Sequence, residues 1–173
     1  MYLETEFVPN KEEAELIDFA INSAEFPWYF QESTDKKYMF FGHSFLKRNN
    51  DVPGAEGQIN SQYYPAFVNI FLKICKENNV KVNSILRGAL NATSYLPDKY
   101  GNIHIDHDFP HNNFILYLNN FTGAPTYIFN ENKELIKTTA VGKNKAVFFS
   151  GEPHAQGFCA PHEHRFVLVF TFN

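Results

Sequence analysis

The hexapeptide GNIHID, residues 101–106, decides the fold, because it combines a strand-like pattern with two metal-binding side chains. Side chains two positions apart in a strand point to the same face, so we expect His104 and Asp106 on one face of a sheet. An imidazole and a carboxylate placed in this way suit a metal ion that is coordinated from one side and open on the other. A distant strand must then supply the third ligand.

His154 is the predicted third ligand, because it opens the run that leads into the last pair of strands. Four other histidines remain open for this position: His107, His111, His162 and His164. The first would face away from the other ligands, the second follows a proline in a loop, and the last two lie close to Arg165. We expect these four to be exposed or loop histidines. The ligand set suits Fe(II), although zinc, manganese and nickel accept the same ligand types.

Arg165 opens the apolar run RFVLVFTF, residues 165–172. A guanidinium inside an apolar layer is costly to desolvate unless a carboxylate meets it, and its planar fork matches a carboxylate with two parallel hydrogen bonds. No Asp or Glu is an evident internal partner, so the sequence indicates a bound dicarboxylate. A surface pair with Glu163 is the alternative.

The composition indicates one β-rich domain. The chain has 173 residues, of which 17 % are aromatic, with 19 Phe and 9 Tyr, residue types that sheets favour. A net charge of −4 argues against a general nucleic-acid surface. The start at Met1 has no secretory pattern and no run approaches a membrane span, so we expect a soluble, intracellular (cytoplasmic) protein without a membrane partner. Cys75 is predicted to be a buried free thiol.

The periodicity predicts two helices in the first half of the chain, over residues 10–24 and 61–79. Asn10 with Glu13 forms a capping box for the first helix, and Ser61 is the expected cap of the second, with Pro65 in its first turn. His43 is expected to be a structural histidine. Strands are predicted at 26–30, 38–46, 83–93, 100–105, 113–118, 126–129, 145–149 and 165–172. Loops 31–37, 49–60 and 107–112 are expected to border the site.

These elements indicate a mainly β (α+β) fold, a barrel or sandwich with the two helices packed on one sheet. We expect a single domain over residues 1–173, in which residues 1–80 are a support region and residues 81–173 form the barrel core.

The segment 85–172 resembles the 2-oxoglutarate/Fe(II)-dependent oxygenase superfamily, in particular its prolyl-hydroxylase-like branch with compact phage and bacterial members. The resemblance rests on the order of these motifs: Tyr95-Leu-Pro, His104-Ile-Asp106, Ile115-Leu-Tyr117-Leu-Asn119, Gly123-Ala-Pro-Thr126, Ala146-Val-Phe-Phe149, and His154 with Arg165. It covers about half of the chain. One departure is Gly-Ala-Pro-Thr, where members commonly have Gly-Gly-x-Thr.

The resemblance implies a double-stranded β-helix (jelly-roll, cupin-like) barrel. It implies that His104, Asp106 and His154 bind Fe(II) and that Arg165 anchors the distal carboxylate of 2-oxoglutarate. Tyr117 and Tyr95 would be further contacts of this co-substrate.

The implied activity is that of a dioxygenase that hydroxylates an unidentified C–H bond, consumes 2-oxoglutarate and O2, and releases succinate and carbon dioxide, with ascorbate as a supporting reductant. The prime substrate could be a protein side chain or a small molecule. The alternative is a non-catalytic or zinc-binding cupin-like barrel that acts as a binding module. A metal cupin without a co-substrate would leave Arg165 unexplained.

Overall fold

The computed structural model describes residues 1–33 and 37–173. Its elements in chain order are β1 (Tyr2–Glu6), α1 (Lys11–Asn22), β2 (Tyr29–Glu32), β3 (Met39–Lys47), β4 (Gln58–Ile59), α2 (Tyr64–Glu77), β5 (Ile85–Ser94), β6 (Asn112–Tyr117), β7 (Thr126–Phe129), β8 (Leu135–Thr138), β9 (Lys145–Ser150), β10 (His154–Gln156) and β11 (His164–Phe172). The described chain is therefore mainly β with two helices, as predicted.

The strands form two antiparallel sheets. The larger has eight strands in the order β1-β9-β6-β11-β5-β3-β2, with β4 paired to β3, and the smaller has the order β10-β7-β8. The first strands of the chain thus join the same sheet as the strands of the second half. Short strands β1, β4, β8 and β10 were not predicted.

The predicted strand at 100–105 is wrong. Only Tyr100 and His104 make isolated bridges, to Gly157 and His154. The Asn102 carbonyl accepts a hydrogen bond from the ring of His104 (3.0 Å). The predicted strand at 26–30 begins later, at Tyr29.

Helix α1 has the predicted capping box. The Glu13 amide donates to Asn10 Oδ1 (2.9 Å), and the Asn10 amide donates to Glu13 Oε2 (2.7 Å). Two of the orphan amides at the helix start are satisfied in this way. Within the described residues, no helix has both the length and the apolar character that a membrane crossing needs.

Ser61 is not the cap of α2, which begins later, at Tyr64, with Pro65 in its first turn as predicted. The Ser61 hydroxyl instead contacts His43 Nε2 (2.8 Å). The other ring nitrogen of His43 lies 2.6 Å from the Pro27 carbonyl oxygen. His43 is therefore a buried histidine with both nitrogens bonded, which confirms its structural role.

Helix α2 packs on the larger sheet through aromatic stacking. Phe67 stacks on Phe45 with ring centres 5.3 Å apart, and Phe71 stacks on Phe170 at 4.6 Å. Gly88 of β5 lies beneath these rings, since an added Cβ would come within 2.6 Å of ring atoms of Phe45 and Phe170. Burying each ring contributes about 2 kcal/mol.

Cys75 lies in the same helix-facing core and is 2 % exposed, so the predicted buried free thiol is confirmed. Burial raises the pKa of this thiol to about 12.

Candidate metal centre

His104, Asp106 and His154 converge, with one ligand atom from each lying within 4.8 Å of the others. His154 is the first residue of β10, and its backbone exchanges two hydrogen bonds with that of His104 (2.9 and 3.0 Å). The predicted third ligand therefore meets the first two across a bridge of only one residue pair. None of the four alternative histidines belongs to this group.

Both imidazoles are oriented by a carbonyl two residues earlier in the chain. His104 Nδ1 lies 3.0 Å from the Asn102 oxygen, and His154 Nδ1 lies 3.0 Å from the Glu152 oxygen. A carbonyl oxygen only accepts, so this pattern assigns the proton to Nδ1 and leaves the Nε2 lone pair for a metal.

The donor set fits a cation between its members. His154 Nε2 lies 3.4 Å from Asp106 Oδ2. A lone pair and a carboxylate oxygen repel each other at this distance unless a proton or a metal ion lies between them. Two neutral imidazoles and one carboxylate are a donor set that Fe(II) accepts.

The electrostatics favour the metal-binding forms of two of the three candidate ligands, Asp106 and His104. Burial alone would raise the pKa of Asp106, but the neighbouring His154 and Arg87 side chains hold it well below its usual range. His104 is the exposed member of the group, and desolvation of its ring by the surrounding chain, followed by the neighbouring His154, lowers its pKa. An ionised carboxylate and a neutral imidazole are the forms that bind metals.

Two arginines lie close to Oδ1 of Asp106, the oxygen that does not face His154. Arg48, directly after β3, donates from Nη2 to Oδ1 (2.8 Å), and Arg87 Nη1 lies 3.8 Å from the same oxygen. Oδ1 is thus turned to the guanidinium groups and Oδ2 to His154. The sequence analysis missed both residues. Arg87 carries the signal that identified Arg165, a cation inside an apolar strand, whereas nothing around Arg48 distinguishes it.

The candidate ligands His104, Asp106 and His154 and the side chain of Arg165 line one cavity of about 1330 Å³, between residues of the larger and the smaller sheet. A second cavity of about 540 Å³ lies beside it and shares Arg48, Ile105 and Asp106. Parts of loops 49–60 and 107–112 line the second cavity. Glu32, Ser33 and Lys37 line the first, while residues 34–36 of the predicted loop 31–37 lie outside the described residues.

Arg165 is 3 % exposed and makes no ion pair with any residue that the structure describes. Its Nε donates to the Ala124 carbonyl (3.1 Å) and its Nη2 to Thr126 Oγ1 (3.1 Å). The carboxylate of Glu163 instead accepts hydrogen bonds from Thr122 (2.7 and 3.0 Å). A buried guanidinium bonded only to neutral oxygens leaves a positive charge that is not neutralised.

Thr93 lies directly opposite Arg165 in the β5–β11 pair, so both side chains point to the cavity face. Its buried hydroxyl has no hydrogen-bond partner among the described residues. The sequence analysis did not single out Thr93, because a threonine in a strand is ordinary. Only the pairing register brings it to Arg165.

The two tyrosines lie in different surroundings. Tyr117 is fully buried, its ring centre lies 5.3 Å from the Arg165 guanidinium, and its hydroxyl contacts Thr126 Oγ1 (3.2 Å) and Thr139 Oγ1 (2.7 Å). Tyr95 follows β5, is 46 % exposed and does not line the cavity. Co-substrate contact stays a prediction for both, and the position of Tyr95 gives it no support.

Three of the four alternative histidines, His107, His111 and His164, have hydrogen-bond partners nearby, and His162 and His164 are exposed, as predicted. His107 Nε2 lies 2.8 Å from Thr171 Oγ1, and burial together with the charge of Arg48 lowers the pKa of His107 to about 4. His111 lies outside the strands, as predicted, but it is 5 % exposed.

Solved structures of 2-oxoglutarate/Fe(II) oxygenases share this fold. An oxidoreductase of the 2OG-Fe(II) oxygenase family from Burkholderia pseudomallei matches with a TM-score of 0.68 at 13 % identity, over 99 % of this chain and 84 % of that one. A Pseudomonas putida prolyl-4-hydroxylase matches at 0.59 and 15 %, over 99 % and 91 %. The non-heme alpha ketoglutarate dependent carbocyclase SnoK from nogalamycin biosynthesis matches at 0.67 and 8 %, over 99 % and 78 %.

No protein-family model and no curated protein sequence matches the chain. At identities of 8–15 % the structural likeness concerns the fold, and these neighbours are named for different reactions. The function must therefore be argued from the site.

Proposed function

We propose that this protein is an Fe(II)- and 2-oxoglutarate-dependent dioxygenase that hydroxylates a C–H bond of its substrate and releases succinate and carbon dioxide. One observation carries the proposal. The cavity that holds the His104, Asp106 and His154 group also holds Arg165, a buried cation without a carboxylate partner among the described residues. A binding module with only a structural zinc would have no use for that cation.

The three ligands would hold Fe(II) through His104 Nε2, His154 Nε2 and Asp106 Oδ2. When bound there, the iron would supply the activation of O2 that is coupled to oxidation of 2-oxoglutarate. The carbonyls of Asn102 and Glu152 fix both rings before the metal arrives, and Arg48 fixes the carboxylate. Such partners of metal ligands contribute about 10- to 100-fold to metal affinity or activity.

Arg165 and Thr93 would bind the distal carboxylate of 2-oxoglutarate. Only two of the five guanidinium N–H donors of Arg165 have partners among the described residues, and the Thr93 hydroxyl is a further donor. Because Arg165 and Thr93 are only 3 % and 5 % exposed, water competes little for their donors. A hydrogen bond to a charged group then contributes about 1.5–3 kcal/mol. Tyr117 would support this contact by packing its ring against the guanidinium.

We also propose that the two antiparallel sheets form a jelly-roll barrel with the helices packed on the larger sheet, and that residues 1–173 act as one catalytic domain. The shared fold of the oxygenase structures and the position of the cavity between the sheets support this reading. The contribution of β1 and β3 to the larger sheet supports one domain, with residues 1–80 as its support region.

Anaerobic addition of Fe(II) and 2-oxoglutarate tests this function. We expect a weak visible charge-transfer absorption that needs both components, because 2-oxoglutarate would bind the iron directly. Glutarate, which lacks the keto group, is the matched control and should give no band. Zinc binding without any such band in the iron-loaded protein would contradict the proposal and favour the binding module.

A further inference from the structure

The cavity face of the larger sheet carries an arginine at each end. Across β5, β11 and β6, Arg87 lies opposite Thr171, which in turn lies opposite Asn113, and all three line the cavity. Thr93 and Arg165 form the row at the other end. Positions 87 and 93 are six residues apart on β5, so the backbones of the two rows are about 20 Å apart along the strand.

The row at the Arg87 end has unused hydrogen-bonding capacity. The Arg87 side chain makes no hydrogen bond to a described residue, and at 3.8 Å from Asp106 Oδ1 it is beyond hydrogen-bond length. Its side chain is 24 % exposed, so its donors can reach a ligand in the cavity. The buried Oδ1 of Asn113 also lacks a partner in the described part of the chain.

The charges at this end do not balance. Arg48 and Arg87 share the one carboxylate of Asp106, and a divalent metal at the ligand group would add two further positive charges. The described residues that line the cavity include six Lys or Arg and three Asp or Glu, a balance of +3 in a chain whose net charge is −4. A cleft lined by one sign of charge attracts ligands of the opposite sign.

We propose that Arg87, together with Arg48, forms a second anion subsite that recognises a carboxylate or phosphate group of the prime substrate beside the metal. This inference rests on the proposed function, because it takes the Arg165 end as the place of 2-oxoglutarate. The cavity of about 1330 Å³ has room for a second ligand, since small-molecule sites commonly occupy about 300–1,000 Å³.

Orientation of the Asp106 carboxylate does not explain the presence of both Arg48 and Arg87. Arg48 already makes the charge-assisted hydrogen bond to Oδ1 at 2.8 Å, and Arg87 adds a second cation to the same oxygen without a bond of its own. A carboxylate or phosphate group of the substrate would accept two N–H hydrogen bonds from the planar guanidinium group of Arg87. A substrate group held there would lie close to Asp106, one of the three candidate metal ligands.

Paramagnetic relaxation of small probes by bound Mn(II) tests the subsite. Protein loaded with Mn(II) and saturated with 2-oxoglutarate, which fills the Arg165 end, is titrated with propionate, methylphosphonate or the neutral amide propionamide. The relaxation rate of the probe methyl protons reports binding near the metal. The variants are Arg87→Gln and the charge-conserving Arg87→Lys, with Lys133→Gln as a control that removes a cation elsewhere in the cavity.

We expect propionate, methylphosphonate or both to relax faster than propionamide in the wild-type protein, and the preferred anion identifies the substrate group. Arg87→Gln should reduce that enhancement by about tenfold or more, the effect of one charge-assisted hydrogen bond. Arg87→Lys should retain part of it, and Lys133→Gln all of it. The inference is overturned if the methyl protons of the two acids relax no faster than those of the amide, or if Arg87→Gln leaves the faster relaxation of the acids unchanged.

The proposed function can fail separately in the same samples. The methylene protons of 2-oxoglutarate should themselves relax strongly. If they do not, the co-substrate role of the site is wrong, whatever the propionate probe reports. If they do and the acids behave like the amide, only the second anion subsite is wrong.

Discussion

The two arginine-bearing ends of the cavity show how one residue type takes two roles on the same strand face. At one end Arg165 is 3 % exposed and bonded only to neutral oxygens. At the other, Arg87 is more exposed and shares the carboxylate of Asp106 with Arg48. A guanidinium without a protein carboxylate needs one from a ligand, whereas one beside Asp106 is already partly neutralised. Where the protein places its own acid thus decides what each end can bind.

Asp106 is the acid on which this difference depends, so its removal should have the largest effect. Asp106→Ala removes one metal ligand and the counter-charge of two arginines, and we expect metal affinity to fall by about 100-fold or more. Equilibrium dialysis with Fe(II) under anaerobic conditions measures this. Asp108→Ala, which removes a nearby exposed carboxylate, is the control and should bind iron like the wild type. Similar losses in both variants would show that the ligand assignment is wrong.

Replacement of each arginine separates the two ends directly. In metal-saturated protein, Arg165→Gln should weaken 2-oxoglutarate binding by about 10- to 100-fold, because a buried charge-assisted hydrogen bond is lost. Arg87→Gln should change the same affinity by much less. Isothermal titration calorimetry gives both dissociation constants. If the larger loss occurs in Arg87→Gln, the ends have been assigned the wrong way round.

The hydroxyl of Thr93 should contribute less than Arg165. Thr93→Val keeps the shape and removes one donor, so we expect 2-oxoglutarate affinity to fall about tenfold, the lower end of the range for a hydrogen bond to a charged group. Thr171→Val, at the Arg87 end of the same face, is the matched control. Calorimetric affinities that fall equally in both variants would contradict a local role for Thr93.

The smallest effect is expected at Ala124, whose carbonyl binds Arg165 and whose φ is +51°. An L-residue in this left-handed region costs about 1–2 kcal/mol, which Ala124→Gly would relieve. The relief is offset by the added chain entropy of glycine and the lost methyl burial. We therefore expect the free energy of unfolding of Ala124→Gly to lie within about 1 kcal/mol of the wild-type value. Ala155→Gly changes a buried strand position and should be about 1 kcal/mol less stable than Ala124→Gly. Urea denaturation compares the two variants. If Ala124→Gly is less stable than Ala155→Gly, the positive φ of Ala124 does not strain the wild-type protein.

The resemblance had marked this position, since the related motif commonly has a second glycine where this chain has Ala124. The positive φ gives the physical reason, because glycine adopts that conformation without a steric cost.

The sequence predicted the convergence of the three candidate ligands for a partly wrong reason. His104 and Asp106 were assigned to one strand face, yet only His104 forms a bridge, and the carbonyl of Asn102 fixes its ring. The spacing predicted the residues, because two ligands separated by one residue converge in an extended segment whether or not it pairs. Short strands such as β10 form only through pairing with a neighbouring strand, and three residues are too few to show an alternating hydrophobic pattern.

The sequence singled out Arg165 because a lone cation in an apolar run is costly without a partner. The same rule would also have singled out Arg87. Thr93 and Arg48 could not be predicted. Thr93 reaches Arg165 only through the β5–β11 register, and Arg48 reaches Asp106 only because β3 ends beside the metal-ligand group. Contacts between strands that are distant in the chain are set by pairing, which local patterns do not encode.

The most direct test of the account is whether the protein converts 2-oxoglutarate to succinate. With Fe(II), ascorbate and O2, the purified protein should form succinate slowly without a prime substrate, and Asp106→Ala should form none. Chromatographic quantification of 2-oxoglutarate and succinate over time gives the result. Succinate in proportion to consumed 2-oxoglutarate, dependent on iron and on Asp106, is the predicted outcome. No succinate above the Asp106→Ala level in iron-loaded wild-type protein would contradict it.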